Sequence, residues 1–101
     1  MAHPLRAATA ETLAGTRTLT IAEVDEYGIW ELDPGGSGRT VNLPAIADSE
    51  GQLLLIKNTA DAAEVLTIAD SVGTVATPTQ NESVILWCGK TRWAGIAGAN
   101  S

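Results

Sequence analysis

The sequence predicts a small all-β domain: a β-sandwich of jelly-roll type, or a partly closed barrel, of about eight short antiparallel strands behind an extended amino-terminal arm. Three observations lead there. From Thr16 onward, short runs rich in Val, Ile, Leu and Thr tend to alternate polar with apolar residues. Clusters of Gly, Pro, Asn and Asp punctuate those runs at short intervals. No long helical period follows the first fifteen residues.

A chain of 101 residues fits one domain. Its composition is 45% apolar with no Phe, one Tyr and three Trp, so a core must be assembled from Ala, Val, Leu and Ile. That is the composition of a folded chain. Residues 1–15 are rich in Ala and Thr, carry Pro4 and show no strong period. They are expected to form a flexible arm, leaving residues 16–101 as the β domain.

The elements follow in order. Thr16–Ile21 alternates as a half-buried strand does. A second run, Gly28-Ile-Trp-Glu-Leu-Asp, ends in the turn cluster Pro34-Gly-Gly-Ser-Gly. Arg39-Thr-Val-Asn-Leu resumes the alternation and stops at Pro44, which has no N–H for a ladder. Ala45–Gly51 connects to Gln52-Leu-Leu-Leu-Ile-Lys-Asn. Thr59–Glu64 is polar enough for a hairpin loop, and Val65-Leu-Thr-Ile follows it. Val72–Thr77 is a short strand before Pro78. Glu82–Cys88 and Arg92–Ile96 form a closing hairpin around Gly89-Lys-Thr.

Two runs break the alternation. Leu53, Leu54, Leu55 and Ile56, and likewise Val84, Ile85, Leu86 and Trp87, are apolar at successive positions. Such strands present apolar side chains on both faces of a sheet, although one face of a sandwich sheet normally meets water. Leaving four large side chains in water forfeits about 1.5–3 kcal/mol each. The outer members therefore call for a cover, either the arm or a second copy of the chain. Self-association is the better expectation, with these eight residues as the candidate interface.

Charge and residue inventory exclude several functions. Net charge is −6, and the six basic residues are scattered, so neither nucleic acid nor an anionic membrane surface is an expected partner. Cys88 is the only cysteine, so no intrachain disulfide can form, and it reads as a buried, inert thiol. His3 is the only histidine and sits in the arm, where nothing holds a general base in place. One His and one Cys rule out a zinc cage of the usual ligands within one chain. Asp25-Glu26 and Asp48-Ser49-Glu50 lack calcium-loop spacing. Gly35-Gly-Ser-Gly precedes a strand, whereas a phosphate loop opens a helix. No catalytic set, metal or cofactor is expected. Trp30, Trp87 and Trp93 could stack sugars, but packing explains their positions as well. Met1–Arg6 lacks a signal peptide's apolar core, and no run approaches membrane-spanning length, so a soluble product made in the cytoplasm is expected.

Six stretches carry a resemblance: Leu19-Thr-Ile, Ile29-Trp-Glu-Leu-Asp, Thr40-Val-Asn-Leu-Pro-Ala, Gly51-Gln-Leu-Leu-Leu-Ile-Lys-Asn, Leu66-Thr-Ile and Glu82-Ser-Val-Ile-Leu-Trp-Cys-Gly-Lys-Thr-Arg-Trp. From Thr18 to Ile96 the chain resembles small β modules of tailed-bacteriophage virions, which include capsid decoration (cement) proteins, head fibres and tail-fibre segments. The resemblance implies a homotrimer attached to a larger shell or fibre, with the major capsid protein as partner and the virion surface as location. It further implies that Met1–Gly15 grips the shell, with His3, Pro4, Leu5, Arg6 and Leu13 as contacts. The chain carries no long shaft, so the decoration protein is the first reading. A tail or fibre component with a receptor- or glycan-binding role is the second, and a bacterial adhesion or assembly module the third.

Overall fold

The computed structural model describes residues 5–99, which fold into nine strands and two short helices. In chain order these are β1 (Glu11–Thr12), β2 (Arg17–Thr18), α1 (Ile21–Glu26), β3 (Ile29–Asp33), β4 (Arg39–Asn42), α2 (Ile46–Ser49), β5 (Leu53–Asn58), β6 (Leu66–Ala69), β7 (Thr74–Ala76), β8 (Glu82–Cys88) and β9 (Trp93–Ala99). They form a five-stranded sheet ordered β1-β3-β5-β8-β9 and a four-stranded sheet ordered β2-β4-β6-β7. The two sheets share one core and do not close into a barrel.

The all-β expectation holds, but the pairing differs from the antiparallel arrangement expected. β1, β3 and β5 run parallel in the larger sheet, and β2, β4 and β6 run parallel in the smaller one. Through β6 the chain alternates between sheets, so each strand lands beside the strand two before it. Parallel neighbours need a crossover of a dozen or more residues. Here the intervening strand of the other sheet, with its loops, supplies it. The Gly-rich turn and the loop 59–64 are therefore not hairpins but passages from one sheet to the other. Antiparallel pairing appears only where β7 folds back on β6 and where β8 and β9 complete the larger sheet.

Local chemistry explains the elements. Thr20 caps α1: its hydroxyl accepts from the Glu23 N–H, and the Glu23 carboxylate accepts from the Thr20 N–H. The turn after β3 needs glycine at Gly35, which has φ +79° and whose missing side chain would stand 2.3 Å from the Leu13 carbonyl oxygen.

The core is the alternation made three-dimensional. Leu32, Leu54, Ile56, Val84 and Leu86 of the larger sheet meet Val41, Leu66 and Ile68 of the smaller one. Leu19, Val24, Leu43, Cys88 and Trp93 close its ends. Polar groups inside are paired. The Asn58 amide donates to the Glu64 and Pro78 carbonyls and accepts from the Ala60 N–H, while the Trp93 indole donates to the Pro44 carbonyl at 3.1 Å.

The boundary expected between residues 15 and 16 does not coincide with a break in the packing. Ala8 donates to the Ile29 carbonyl, Leu13 donates to the Asp33 carbonyl, and β1 pairs with β3. Leu13 lies in the core, so a docked shell could not reach it. Leu5 and Leu13, eight positions apart in an Ala/Thr-rich segment, gave no periodic signal, yet backbone pairing along the β3 edge holds the segment.

Candidate functional site: an apolar outer sheet face

The antiparallel register of β5 and β8 sets Leu53 opposite Trp87 and Leu55 opposite Ile85, with Leu54 opposite Leu86 and Ile56 opposite Val84 between them. Residues directly opposite share a face, and successive residues alternate. The eight predicted interface residues therefore divide equally. Leu54, Ile56, Val84 and Leu86 point inward and are at most 1% exposed. This corrects the expectation that all eight meet a partner. Leu53 (44% exposed), Leu55, Ile85 (50%) and Trp87 (42%) occupy the outer face, and Leu55 is half-buried among its neighbours.

The neighbouring strands enlarge this surface. β3 places Ile29 beside Leu55, and Ala7 lies alongside Ile29. β9 places Ile96, 66% exposed, beside Ile85, and Ala94 beside Trp87. The result is an unbroken apolar row, Ala7, Ile29, Leu55, Ile85 and Ile96, about 19 Å across at the usual spacing between strands. A second row of Leu53, Trp87 and Ala94 lies next to it. No charged side chain stands in either row. Glu31 and Lys57 occupy the next row along the strands, and beyond the other end of β5 and β8 the exposed Lys90 and Glu50 pair at 3.0 Å. Ile29 and Ile96 escaped the sequence reading because their membership depends on cross-strand neighbours.

The other candidate residues are dispersed. Leu5 and Arg6 are exposed beside an open groove of about 480 Å³ that Val24, Asp25, Glu26, Gly28 and Gln52 also line. Arg6 pairs with Glu26 and lies over the Tyr27 ring. His3 and Pro4 fall outside the described residues. Trp30 and Trp93 are buried, so the three tryptophans form no common platform with Trp87. Among the described residues, one trio of carboxylates, Asp33, Asp61 and Glu64, lies within 4.8 Å. Asp33 and Glu64 each accept a backbone N–H of the Gly-rich turn, from Gly35 and Gly36.

No protein-family model, curated protein or solved structure matches the chain.

Shifted titrations belong to the framework of the fold. The Arg17 guanidinium, which also bonds Glu11, holds the Glu23 carboxyl down at about 2, helped by the Thr20 N–H. Burial pushes the Asp70 carboxyl up. The N–H groups of Gly73, Trp93 and Val72 and the Arg92 guanidinium outweigh it, leaving Asp70 below its ordinary value. Burial pushes the Cys88 thiol up, and Asp70 and Glu50 add to the effect. None of these groups stands in the apolar rows. What the outer face can do chemically is exclude water against a matching surface.

Proposed function

We propose that the chain is a non-enzymatic virion structural protein: a capsid decoration protein of a tailed bacteriophage, seated as a homotrimer on the outer surface of the head and stabilising it. One observation carries the reading. In a chain of net charge −6, the larger sheet presents two uncharged rows of Leu, Ile and Trp to solvent. Contiguous apolar patches on this scale mark interaction surfaces. A second and a third copy supply an apolar cover, since every copy brings the same face, and cyclic symmetry presents identical sites to a shell. The resemblance from Thr18 to Ile96 names the shell. The exposed Leu5 and Arg6, with the residues before them, are the proposed shell contact, while Leu13 serves the core.

A decoration protein adds buried area across joints that internal pressure would otherwise open. The acidic exterior keeps free copies soluble and reluctant to bind DNA. The test is to mix the purified protein with expanded phage capsids that lack it and to image the product. Expected are trimeric densities at symmetry-related sites and capsids that survive heating better. Failure to bind capsids, or binding to host cell surfaces instead, rejects the reading.

A further inference from the structure

β9 is the last strand of the larger sheet: β7 of the smaller sheet packs against it, but among the described residues no strand is hydrogen-bonded to its outer edge. Its seven residues, Trp-Ala-Gly-Ile-Ala-Gly-Ala, include no charge and no proline, the devices that normally keep an edge from pairing with another chain. The opposite edge of the sheet is guarded. β1 has two residues, and its Glu11 is held by Arg17 at 2.9 Å.

The phase of the β8–β9 ladder decides which groups are open. The hairpin closes with the Gly89 N–H on the Arg92 carbonyl at 3.0 Å. From there the pairs alternate. Trp87–Ala94, Ile85–Ile96 and Ser83–Gly98 exchange hydrogen bonds, whereas Cys88–Trp93, Leu86–Gly95 and Val84–Ala97 do not. The backbone groups of Trp93, Gly95 and Ala97 therefore aim away from β8. The Trp93 N–H is taken by Asp70 at 3.0 Å, and Arg92 reaches the Gly73 and Thr74 carbonyls at the same end. The Gly95 and Ala97 N–H groups meet no backbone carbonyl among the described residues, and Ile96, Ala97 and Gly98 are exposed.

We infer that β9 is a strand-addition site for the β9 of a second copy, paired antiparallel about a two-fold axis through Ile96. In that register each Gly95 exchanges two hydrogen bonds with Ala97 of the other copy. Ala94 falls opposite Gly98, so small residues meet small residues. The one large residue, Ile96, meets its own counterpart in a pair without hydrogen bonds, where side chains come closest. The row Ile29, Leu55, Ile85, Ile96 then runs on through the second copy in reverse order as one ladder across both sheets. With one edge of the sheet open and the other guarded, the contact closes at two copies and does not propagate. It uses the sheet's edge, and Ile96 is the residue that it shares with the outer face proposed for the trimer.

A contact of two strand edges buries less than the roughly 1,200 Å² of a standard stable interface, so the pair is best trapped covalently. Ile96→Cys under mild oxidation is expected to yield a disulfide-linked dimer. Cα atoms about 4.5 Å apart in such a pair lie within disulfide range, and Cys88 is buried. Ile85→Cys is expected to stay unlinked, because three strand spacings, about 14 Å, separate it from its counterpart. Adding Ala97→Pro to Ile96→Cys removes an outward N–H without touching the β8 ladder, and should lower the yield of linked dimer at least tenfold with the circular dichroism spectrum unchanged. Should the proline disturb the fold, Ile96→Lys sets two like charges on the axis and should disperse the pair in sedimentation, whereas Ile85→Lys, on the same face but one strand in from the edge, should leave a dimer. No link at position 96, equal links at 85 and 96, or a mass in sedimentation that Ile96→Lys leaves unchanged or that Ile85→Lys lowers to a monomer would overturn the inference. Capsid binding is read separately, so the two proposals fail separately.

Discussion

Side chains on opposite faces of the larger sheet should respond in opposite ways to the same charge, and the comparison of Leu54→Asp with Ile85→Asp isolates the outer face. Leu54 is 0% exposed between the two sheets. Replacing it forfeits about 2–3 kcal/mol of transfer free energy, leaves a cavity and buries a carboxyl without a partner, which adds several kcal/mol more. A domain of this size has about 5–15 kcal/mol in total, so Leu54→Asp should be largely unfolded at 25 °C. Ile85 is 50% exposed. Its aspartate points into water in the lone chain, and the stability of the fold should fall by about 1 kcal/mol or less. In an assembly the exposed half of Ile85 contributes roughly 1 kcal/mol per copy. Three copies lose about 3 kcal/mol, so the association constant should drop on the order of 100-fold. Urea unfolding followed by circular dichroism measures the first effect, and light scattering across a dilution series measures the second. Unfolding by Ile85→Asp refutes the division of the sheet into an inner and an outer face, and an undiminished particle mass refutes self-association through the outer face.

Three further outcomes follow from the framework. Asp70→Ala strands the N–H groups of Val72, Gly73 and Trp93 and frees the part-exposed Arg92 guanidinium, and thermal unfolding should register a loss of about 1–3 kcal/mol. The Glu23 and Asp70 carboxyls lie lower in the folded chain than in the unfolded one. The unfolded chain therefore binds more protons in acid, so stability is full above about pH 5 and declines as pH falls from about 4.5 toward about 2. Glu23→Gln should flatten that decline in urea titrations, though Glu23 is about a third exposed and salt will screen its share. Gly95→Ala sets a methyl group 2.7 Å from Leu86 Cδ2 and 3.2 Å from Val84 Cγ2; an overpacking cost of about 1–3 kcal/mol should appear as a lower denaturation midpoint.

The strands from Ile29 onward were legible because each is a short apolar run stopped by glycine, proline or a polar cluster. The doubled runs at Leu53–Ile56 and Val84–Trp87 foretold the outer face for a physical reason: a side-chain period of two leaves consecutive apolar residues on opposite sides. Which of each pair faces out depends on register, and register is set by partners distant in sequence. The sense of pairing was hidden for the same reason, since alternation reads alike in parallel and antiparallel strands. Thr20-Ile-Ala-Glu23 carries the capping pattern of a helix start, yet the alternation of Thr16–Ile21 reads as a strand over the same residues. The two-residue strands Glu11–Thr12 and Arg17–Thr18 are too short to carry any period, and they exist because β3 and β4 offer them an edge.

The alternation of strands between sheets bears on how the molecule is made. Its short-range pairings are the β6–β7 and β8–β9 hairpins, both in the second half of the chain. The parallel pairs join residues far apart in the chain, as with Glu11 to Leu32 and Arg39 to Leu66. Contacts of that separation form slowly, because loop closure precedes any gain. β5 seats against both β3 and β8, and until β8 and β9 have formed it has only β3 to pair with, so its β8 side is the last part of the larger sheet to find its partners.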